Sequence, residues 1–216
     1  PFWMDSGDAW LRATFLENFV YRLQWTTAMS FNVWYADLLT TGVLDPRVQL
    51  LGLSRDQWGT ALLAAGLAGA FALTRAWERR DPARARFGML PLAALVTLAA
   101  VLLPTRVHST YGAFTTPFLI GTAFLLPRTT LGVLGCLVTM SLQILSWQWG
   151  GLLAMHVQPD ETIFPPAVRQ HRQELRRRDA PREWALTIAN LLAAAAVAGG
   201  VATTRRPNEG APRAPS

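Results

Sequence analysis

The stretch Gln57–Thr74, QWGTALLAAGLAGAFALT, contains no Asp, Glu, Lys or Arg. A second uncharged stretch, Phe87–Thr105, has the sequence FGMLPLAALVTLAAVLLPT. A helix rises about 1.5 Å per residue, so about 20 apolar residues are needed to cross the roughly 30 Å hydrocarbon core of a bilayer. Lipid offers no hydrogen-bond partner to backbone polar groups, and a helix satisfies them internally. Both stretches are therefore predicted to be transmembrane helices.

Further apolar stretches extend this prediction to an all-α, polytopic integral membrane helical bundle. About five spans are predicted, near 57–74, 87–104, 113–127, 130–147 and 184–202. The composition agrees, because the 216-residue chain is 51% hydrophobic and 16% charged, whereas a soluble domain carries about 25% charged residues. The spans define a transmembrane region over 57–204. The tail at 205–216 is polar and Pro-rich, and it is predicted to be disordered.

Residues 1–56 differ from the rest of the chain, because charged residues interrupt their apolar stretches and tryptophans recur throughout. Trp and Tyr are enriched at membrane–water interfaces, and an amphipathic helix can lie in that plane. Helices near 9–21 and 28–40 are therefore predicted to lie along the outward-facing membrane surface. The chain starts at Pro1–Trp3 without an initiator Met, so it is expected to be part of a longer protein.

The arginines suggest an orientation. All 20 basic residues are Arg and 14 residues are acidic, giving a formal charge of +6. The positive-inside rule assigns the short, Arg-rich loop 75–86 to the cytoplasmic side, which places residues 1–56 outside. The long loop before the last span is also basic, so the two orientations nearly tie on charge alone. The single cysteine, Cys136, excludes an intramolecular disulfide and a CxxC metal site.

Two segments on the predicted outer side carry residue types that suit a sugar or a phosphate. In the first, the amide of Asn32 lies among aromatic residues and could hydrogen-bond a sugar. The alternative, which the residue types favour, is an interfacial helix with Trp34 as an anchor and Asn32 as a solvated cap. In the second, Arg106, His108 and Tyr111 combine groups that could hold a phosphate. The alternative there is contact of the same side chains with lipid headgroups.

The order of these segments resembles the C-terminal half of polytopic GT-C glycosyltransferases, which are polyprenyl-phosphate-sugar-dependent and mannosyltransferase-like. Asn32 and Trp34 match an Asn-x-x-Asn-Leu-Trp-like segment of that family, which implies that they shape the donor sugar pocket. Arg106, His108 and Tyr111 match an Arg-Val-His-Glu-Arg-Tyr-like segment, which implies that they bind the donor phosphate. The resemblance thus implies transfer of a sugar to an acceptor on the outer face of a bacterial cytoplasmic (inner) membrane.

In such a reaction a carboxylate deprotonates the acceptor hydroxyl, and cationic groups stabilise the departing lipid phosphate. The resemblance covers about residues 15–127, with Ser109 and Thr110 where the family has Glu and Arg. The catalytic residue stays unknown, because the family's Asp lies in a first outer loop that is expected upstream of Pro1. The acidic residues on the same predicted face that could replace it are Asp5, Asp8, Glu17 and Asp37.

A third segment is basic. Arg169, Arg172 and Arg176 are spaced i, i+3, i+7, so on a helix they form one stripe that suits anionic lipid headgroups. The neighbouring spans tie this stripe to a bilayer, which argues against nucleic acid as a partner. The cofactor is unknown: a divalent cation stays open, but the three scattered histidines specify no ligand set.

Two other functions compete with sugar transfer. The main alternative is a non-catalytic integral membrane subunit, which packs against membrane protein partners and binds lipids through its Arg clusters. A transporter is disfavoured, because transporters place ionisable residues inside their spans and the predicted spans contain no Asp, Glu or Arg.

Overall fold

The chain is an integral membrane protein built from α-helices. The structure, a computed structural model, describes residues 32–41, 46–105, 107, 109–150 and 166–203. Only the backbone is described for 109–110, 146–150 and 166–180. The helices in these parts of the chain are α1 (Val33–Thr41), α2 (Arg55–Arg80), α3 (Met89–Leu102), α4 (Thr116–Leu125), α5 (Thr130–Gly150) and α6 (Pro166–Ala202). Short 3-10 helices lie at Ala85–Phe87, Ser109–Thr115 and Pro127–Thr129.

The predicted all-α membrane bundle is confirmed. Within the described residues, four helical stretches are long and apolar enough to cross a membrane: Arg55–Arg80, Ala85–Leu102, Pro127–Leu145 and Pro181–Ala202. The predicted span near 113–127 falls on a shorter apolar stretch, Tyr111–Leu125. In that stretch α4 has only 10 residues, with a proline in its first turn. Pro127 follows shortly after the end of α4. Proline has no backbone N–H to donate to the preceding turn, so the helix does not continue through it. The predicted helix near 9–21 lies outside the described residues.

A small hairpin precedes α2, and the sequence pattern did not predict it. Strands β1 (Gln49–Leu50) and β2 (Leu53–Ser54) pair antiparallel. The two residues between them, Leu51 and Gly52, have φ of 50° and 86°. Positive φ at both central positions is the geometry of a tight hairpin turn, and glycine adopts it without a steric penalty. The hairpin delivers Ser54 to the start of α2.

A capping box fixes the start of α2. The Ser54 hydroxyl accepts from the Gln57 backbone N–H at 3.1 Å, and the Ser54 N–H donates to Gln57 Oε1 at 2.8 Å. These two bonds satisfy backbone donors that a helix N-terminus leaves without partners. The indole of Trp58 then donates to the Leu50 carbonyl at 2.7 Å, which fastens the hairpin to the first turn of α2.

The closest helix pair is α5 with α6. At Gly132 an added Cβ would lie 2.7 Å from the Val197 nitrogen and 2.8 Å from the Ala193 oxygen. Small residues let helices approach this closely in lipid, where packing replaces the hydrophobic effect as the main attraction. Further along the same pair, Thr139 Oγ1 donates to Asn190 Oδ1 at 2.7 Å. One half of this interface is therefore tightly packed, and the other half contains buried polar groups.

The two ends of the bundle differ in chemistry. At one end Arg80 donates to the Ala202 carbonyl, and Arg128 donates to the Thr203 carbonyl at 2.8 Å. Cationic side chains are favourable beside the C-terminus of a helix, where backbone carbonyls lack partners. We call this end, which includes the Arg-rich stretch 75–86, the basic end. The sequence predicted a loop over 75–86, but α2 continues to Arg80 and only the second half of this stretch connects α2 to α3. We call the opposite end, which holds α1, the hairpin and the chain after α3, the polar end.

Candidate functional site at the polar end

Asn32 caps α1. Its Oδ1 accepts from the backbone N–H of Trp34 at 3.1 Å and of Tyr35 at 3.0 Å. A side-chain oxygen in this position satisfies the first donors of a helix. The cap is fully buried rather than solvated, with 0% exposure, because helices of the bundle cover α1. Among the described residues no group accepts from its Nδ2.

Trp34 connects the two segments that the sequence singled out. Its indole Nε1–H donates to the carbonyl of Leu103 at 2.7 Å, across 69 residues of sequence. Leu103 is the C-cap of α3, directly after its last residue, and precedes Arg106 by three residues. Trp34 is only 3% exposed, so it packs inside the polar end instead of anchoring α1 at a membrane surface. Its one polar donor is used by this bond.

Tyr35 joins α1 to α6. Its hydroxyl donates to Glu183 Oε2 at 3.0 Å, and both side chains are buried. Burial raises the pKa of Tyr35 well above its usual value, and the negative charge of Glu183 raises it further. Glu183 lies immediately before the predicted span 184–202, and it was not among the predicted site residues. The available signal was a carboxylate at the boundary of an apolar stretch, which is costly to bury without a partner.

Asp37 and Arg55 form a nearly buried ion pair between α1 and α2. Arg55 Nε lies 2.5 Å from Asp37 Oδ2, with side-chain exposures of 3% and 14%. A second bond runs from Arg55 Nη2 to Asp37 Oδ1 at 3.2 Å, so the pair is bidentate. Arg55 also donates to the Val48 carbonyl at 3.2 Å. Of the acidic residues considered as a base, Asp37 alone is within the described parts of the chain, and it is engaged in this pair.

Asp56 links α2 to the segment that follows α3. Thr105 Oγ1 donates to Asp56 Oδ1 at 2.5 Å. The two elements touch at Gly59, where an added Cβ would lie 2.8 Å from the Thr105 nitrogen. A carboxylate therefore lies beside the chain that leads to Arg106. The sequence around Asp56 carries no signal for this contact, because its partner lies 49 positions later in the chain.

The remaining predicted site residues are placed less completely. Tyr111 lies half-buried in the 3-10 helix Ser109–Thr115, and its ring is 6.5 Å from the ring of Phe114. Arg106 and His108 lie outside the described residues. Val107, which stands between them in the sequence, is buried, so this side chain is part of the packed polar end.

The basic stripe lies far along the chain, on the first half of α6. The backbone is helical through Arg169, Arg172 and Arg176, and their side chains are not described. Spacing of i, i+3, i+7 keeps the three positions on one face of that helix. In the described parts of the chain no group of three or more His, Cys, Asp or Glu residues could hold a metal ion.

No protein-family model, curated protein or solved structure matches this chain. The resemblance to GT-C glycosyltransferases therefore rests on the short segments in the sequence. The structure adds the contacts that bring α1, the start of α2 and the end of α3 together at the polar end.

Proposed function

We propose that this chain is the C-terminal membrane portion of a GT-C type glycosyltransferase. It transfers a sugar from a polyprenyl-phosphate donor to an acceptor at the polar end of the bundle. The observation that supports this most is the bond from the Trp34 indole to the Leu103 carbonyl. That bond joins the two segments on which the resemblance depends, although 69 residues separate them.

The proposed chemistry assigns the donor phosphate to Arg106 and His108. Arg55 already makes a bidentate pair with Asp37, so its charge is largely neutralised inside the protein. The Arg106 guanidinium would instead present two parallel donors to phosphate oxygens. Negative charge grows on the lipid phosphate as the sugar leaves, and a fixed cation there lowers the barrier.

The polar end faces outward in this proposal, on the outer face of a bacterial inner membrane. The basic end then faces the cytoplasm, in agreement with the positive-inside rule for the Arg-rich stretch 75–86. The acceptor would approach from the aqueous side, near α1 and the hairpin. Bilayer lipids and the polyprenyl-phosphate-linked sugar are the proposed partners.

A non-catalytic membrane subunit is the second candidate, and one observation favours it. Asn32 and Trp34 are both buried and hydrogen-bonded within the chain, as expected for residues that hold a helix in place. In that case the hydrogen bonds of the polar end only hold α1 against the other helices, and the Arg clusters bind lipid or other membrane proteins.

Substitution of Arg106 separates the two candidates. Arg106→Lys keeps the charge but loses the planar fork, and sugar transfer should fall about a hundredfold, equivalent to about 3 kcal/mol of lost transition-state stabilisation. His108→Gln should have a similar effect. The assay measures turnover of a polyprenyl-phosphate sugar by the longest natural form of the protein, alongside its thermal unfolding.

The matched control is Arg75→Lys, an exposed arginine at the basic end, which should leave turnover unchanged. Wild-type turnover in both the Arg106 and His108 variants would contradict the proposed phosphate site. Absence of any transfer by the wild-type protein, with normal folding, would instead favour the non-catalytic subunit.

A further inference from the structure

The hairpin before α2 has an apolar face and a polar face. In its antiparallel register Leu50 lies opposite Leu53. The next pair outward from the turn is Gln49 with Ser54. Successive side chains of a strand point to opposite sides, so the two leucines share one face and the two polar residues share the other. Leu53 is 39% exposed, so this apolar face is only partly covered by the protein.

Leu51, at the tip of the hairpin, is an unusual residue for a tight turn. Its φ of 50° is positive, and no other non-glycine residue in the described parts of the chain has a positive φ. Asn, Asp and Gly adopt this conformation at lower cost, and hairpin turns of this kind prefer them. The Leu51 side chain is also 88% exposed, so contacts within the described chain do not offset the cost. A contact outside the protein would explain why a leucine stands here.

The hairpin is held at the level where α2 enters the membrane. The Leu50 carbonyl, next to the tip, accepts from the Trp58 indole at 2.7 Å. Trp58 lies one turn into α2, and helix side chains tilt toward the N-terminus, so this bond lies beside the first turn of the helix. Arg55 and Asp56 are the last charged residues before the uncharged stretch 57–74 of this span. The tip therefore lies beside the boundary between lipid headgroups and hydrocarbon.

We propose that Leu51 and the apolar face of the hairpin insert into the boundary between lipid headgroups and acyl chains, beside the first turn of α2. Apolar side chains that enter this boundary hold an element at a membrane surface. The polar face with Gln49 stays toward water. Because Trp58 joins the hairpin to α2, the inserted tip fixes the depth of the polar end in the bilayer. This contact is independent of the proposed sugar transfer and is equally expected in a non-catalytic subunit.

The first experiment measures the depth of the tip. Leu51→Cys and, as the matched control on the polar face, Gln49→Cys are made in the full chain and labelled with a nitroxide. Native Cys136 is fully buried, so it reacts little with the label. The labelled protein is reconstituted in vesicles of phosphatidylethanolamine and phosphatidylglycerol. Electron paramagnetic resonance then compares collisions of each label with oxygen, which concentrates in lipid, and with a water-soluble nickel complex.

The ratio of oxygen collisions to nickel collisions should be several-fold higher for the label at position 51 than for the label at position 49. An equal ratio at the two positions would place the tip in water and overturn the proposal. Protection of position 51 from both reagents would also overturn it, because it would show that a protein, and not lipid, covers the tip.

The second experiment uses the conformational preference of the turn. Asparagine adopts a positive φ more readily than leucine, so Leu51→Asn should stabilise a hairpin whose tip lies in water. In a hairpin whose tip lies in lipid, the same change removes the apolar contact that holds the tip. We therefore expect backbone hydrogen exchange of the hairpin in the same vesicles to rise about tenfold, the order of magnitude by which burial of a leucine side chain shifts an equilibrium.

Leu51→Met is the matched control for this exchange measurement, because it keeps an apolar side chain of similar volume and should exchange at the wild-type rate. Unchanged or slower exchange of the hairpin in Leu51→Asn would overturn the proposal. Thermal unfolding of each variant checks that the bundle is folded. Neither experiment measures sugar transfer, so failure of the proposed function would leave both results interpretable.

Discussion

At the scale of single residues, the bond between Tyr35 and Glu183 makes stability depend on pH. Burial and the charge of Glu183 raise the pKa of the Tyr35 phenol above its usual value. The folded chain therefore holds this proton more tightly than the unfolded chain, in which a tyrosine titrates near pH 10. The stabilisation is complete below about pH 10 and is lost as pH rises toward the folded pKa.

We expect this loss as a fall in thermal stability, measured in detergent, as the pH rises above about 10. Tyr35→Phe should remove the pH dependence that this group causes. It should also lower stability near neutral pH by about 1.5–3 kcal/mol, because it removes a hydrogen bond to a charged acceptor. Thr40→Ala, an exposed change in the same helix, is the control. An identical pH profile for wild type and Tyr35→Phe would show that the bond is not formed.

At the scale of elements, α5 and α6 depend on Gly132 for their close approach. Gly132→Ala places a Cβ within 2.8 Å of the α6 backbone, and backbone atoms cannot move aside as a flexible side chain does. We expect a loss of about 1–3 kcal/mol in the free energy of unfolding, as for other overpacked positions.

The control for Gly132→Ala is Gly199→Ala on α6, where an added Cβ meets no atom within 4 Å. Because alanine favours a helix over glycine by about 1 kcal/mol, this variant should match or exceed wild type in a denaturant titration. Equal stability of Gly132→Ala and Gly199→Ala would contradict the observed packing of α5 on α6.

The first half of α6 supports a separate prediction at this scale. Reversal of charge at Arg172 should weaken association with anionic vesicles by about 1–2 kcal/mol in a salt-dependent way. Sugar transfer should be unchanged, because the contact proposed for the stripe is with lipid and depends on charge alone. Vesicle sedimentation at low and high salt, with Arg172→Lys as the control, measures the effect. Loss of transfer in an inserted Arg172→Glu protein would place the stripe in the active site.

At the scale of the whole molecule, the arrangement of the ends predicts a topology. Val48 and Ser109 belong to the polar end, and Ala83 belongs to the loop of the basic end. Single cysteines at Val48 and Ser109 should therefore react with a membrane-impermeant reagent from one side, and a cysteine at Ala83 from the other. Native Cys136 is fully buried, so it contributes little background. Labelling of Val48 and Ser109 from opposite sides would contradict the bundle.

The sequence by itself determined the fold class and most of the helical segments. Uncharged stretches such as Gln57–Thr74 have one outcome in a bilayer, because every backbone polar group must be paired within its own segment. That rule is local and needs no knowledge of neighbours. The prediction from sequence was least accurate near 113–127, where prolines at both ends shorten the helix. It also missed the hairpin, because strands of two residues each leave no recognisable pattern.

Only the tertiary structure decided the partners at the polar end. Trp34 meets Leu103 across 69 residues and Tyr35 meets Glu183 across 148. From sequence, Asn32 and Trp34 were assigned to a membrane surface on residue type, because Trp suits an interface as well as a core. Asn32 and Trp34 are buried because α6 and the end of α3 pack against α1. A buried polar group needs a hydrogen-bond partner, and the tertiary packing determines which residue provides it.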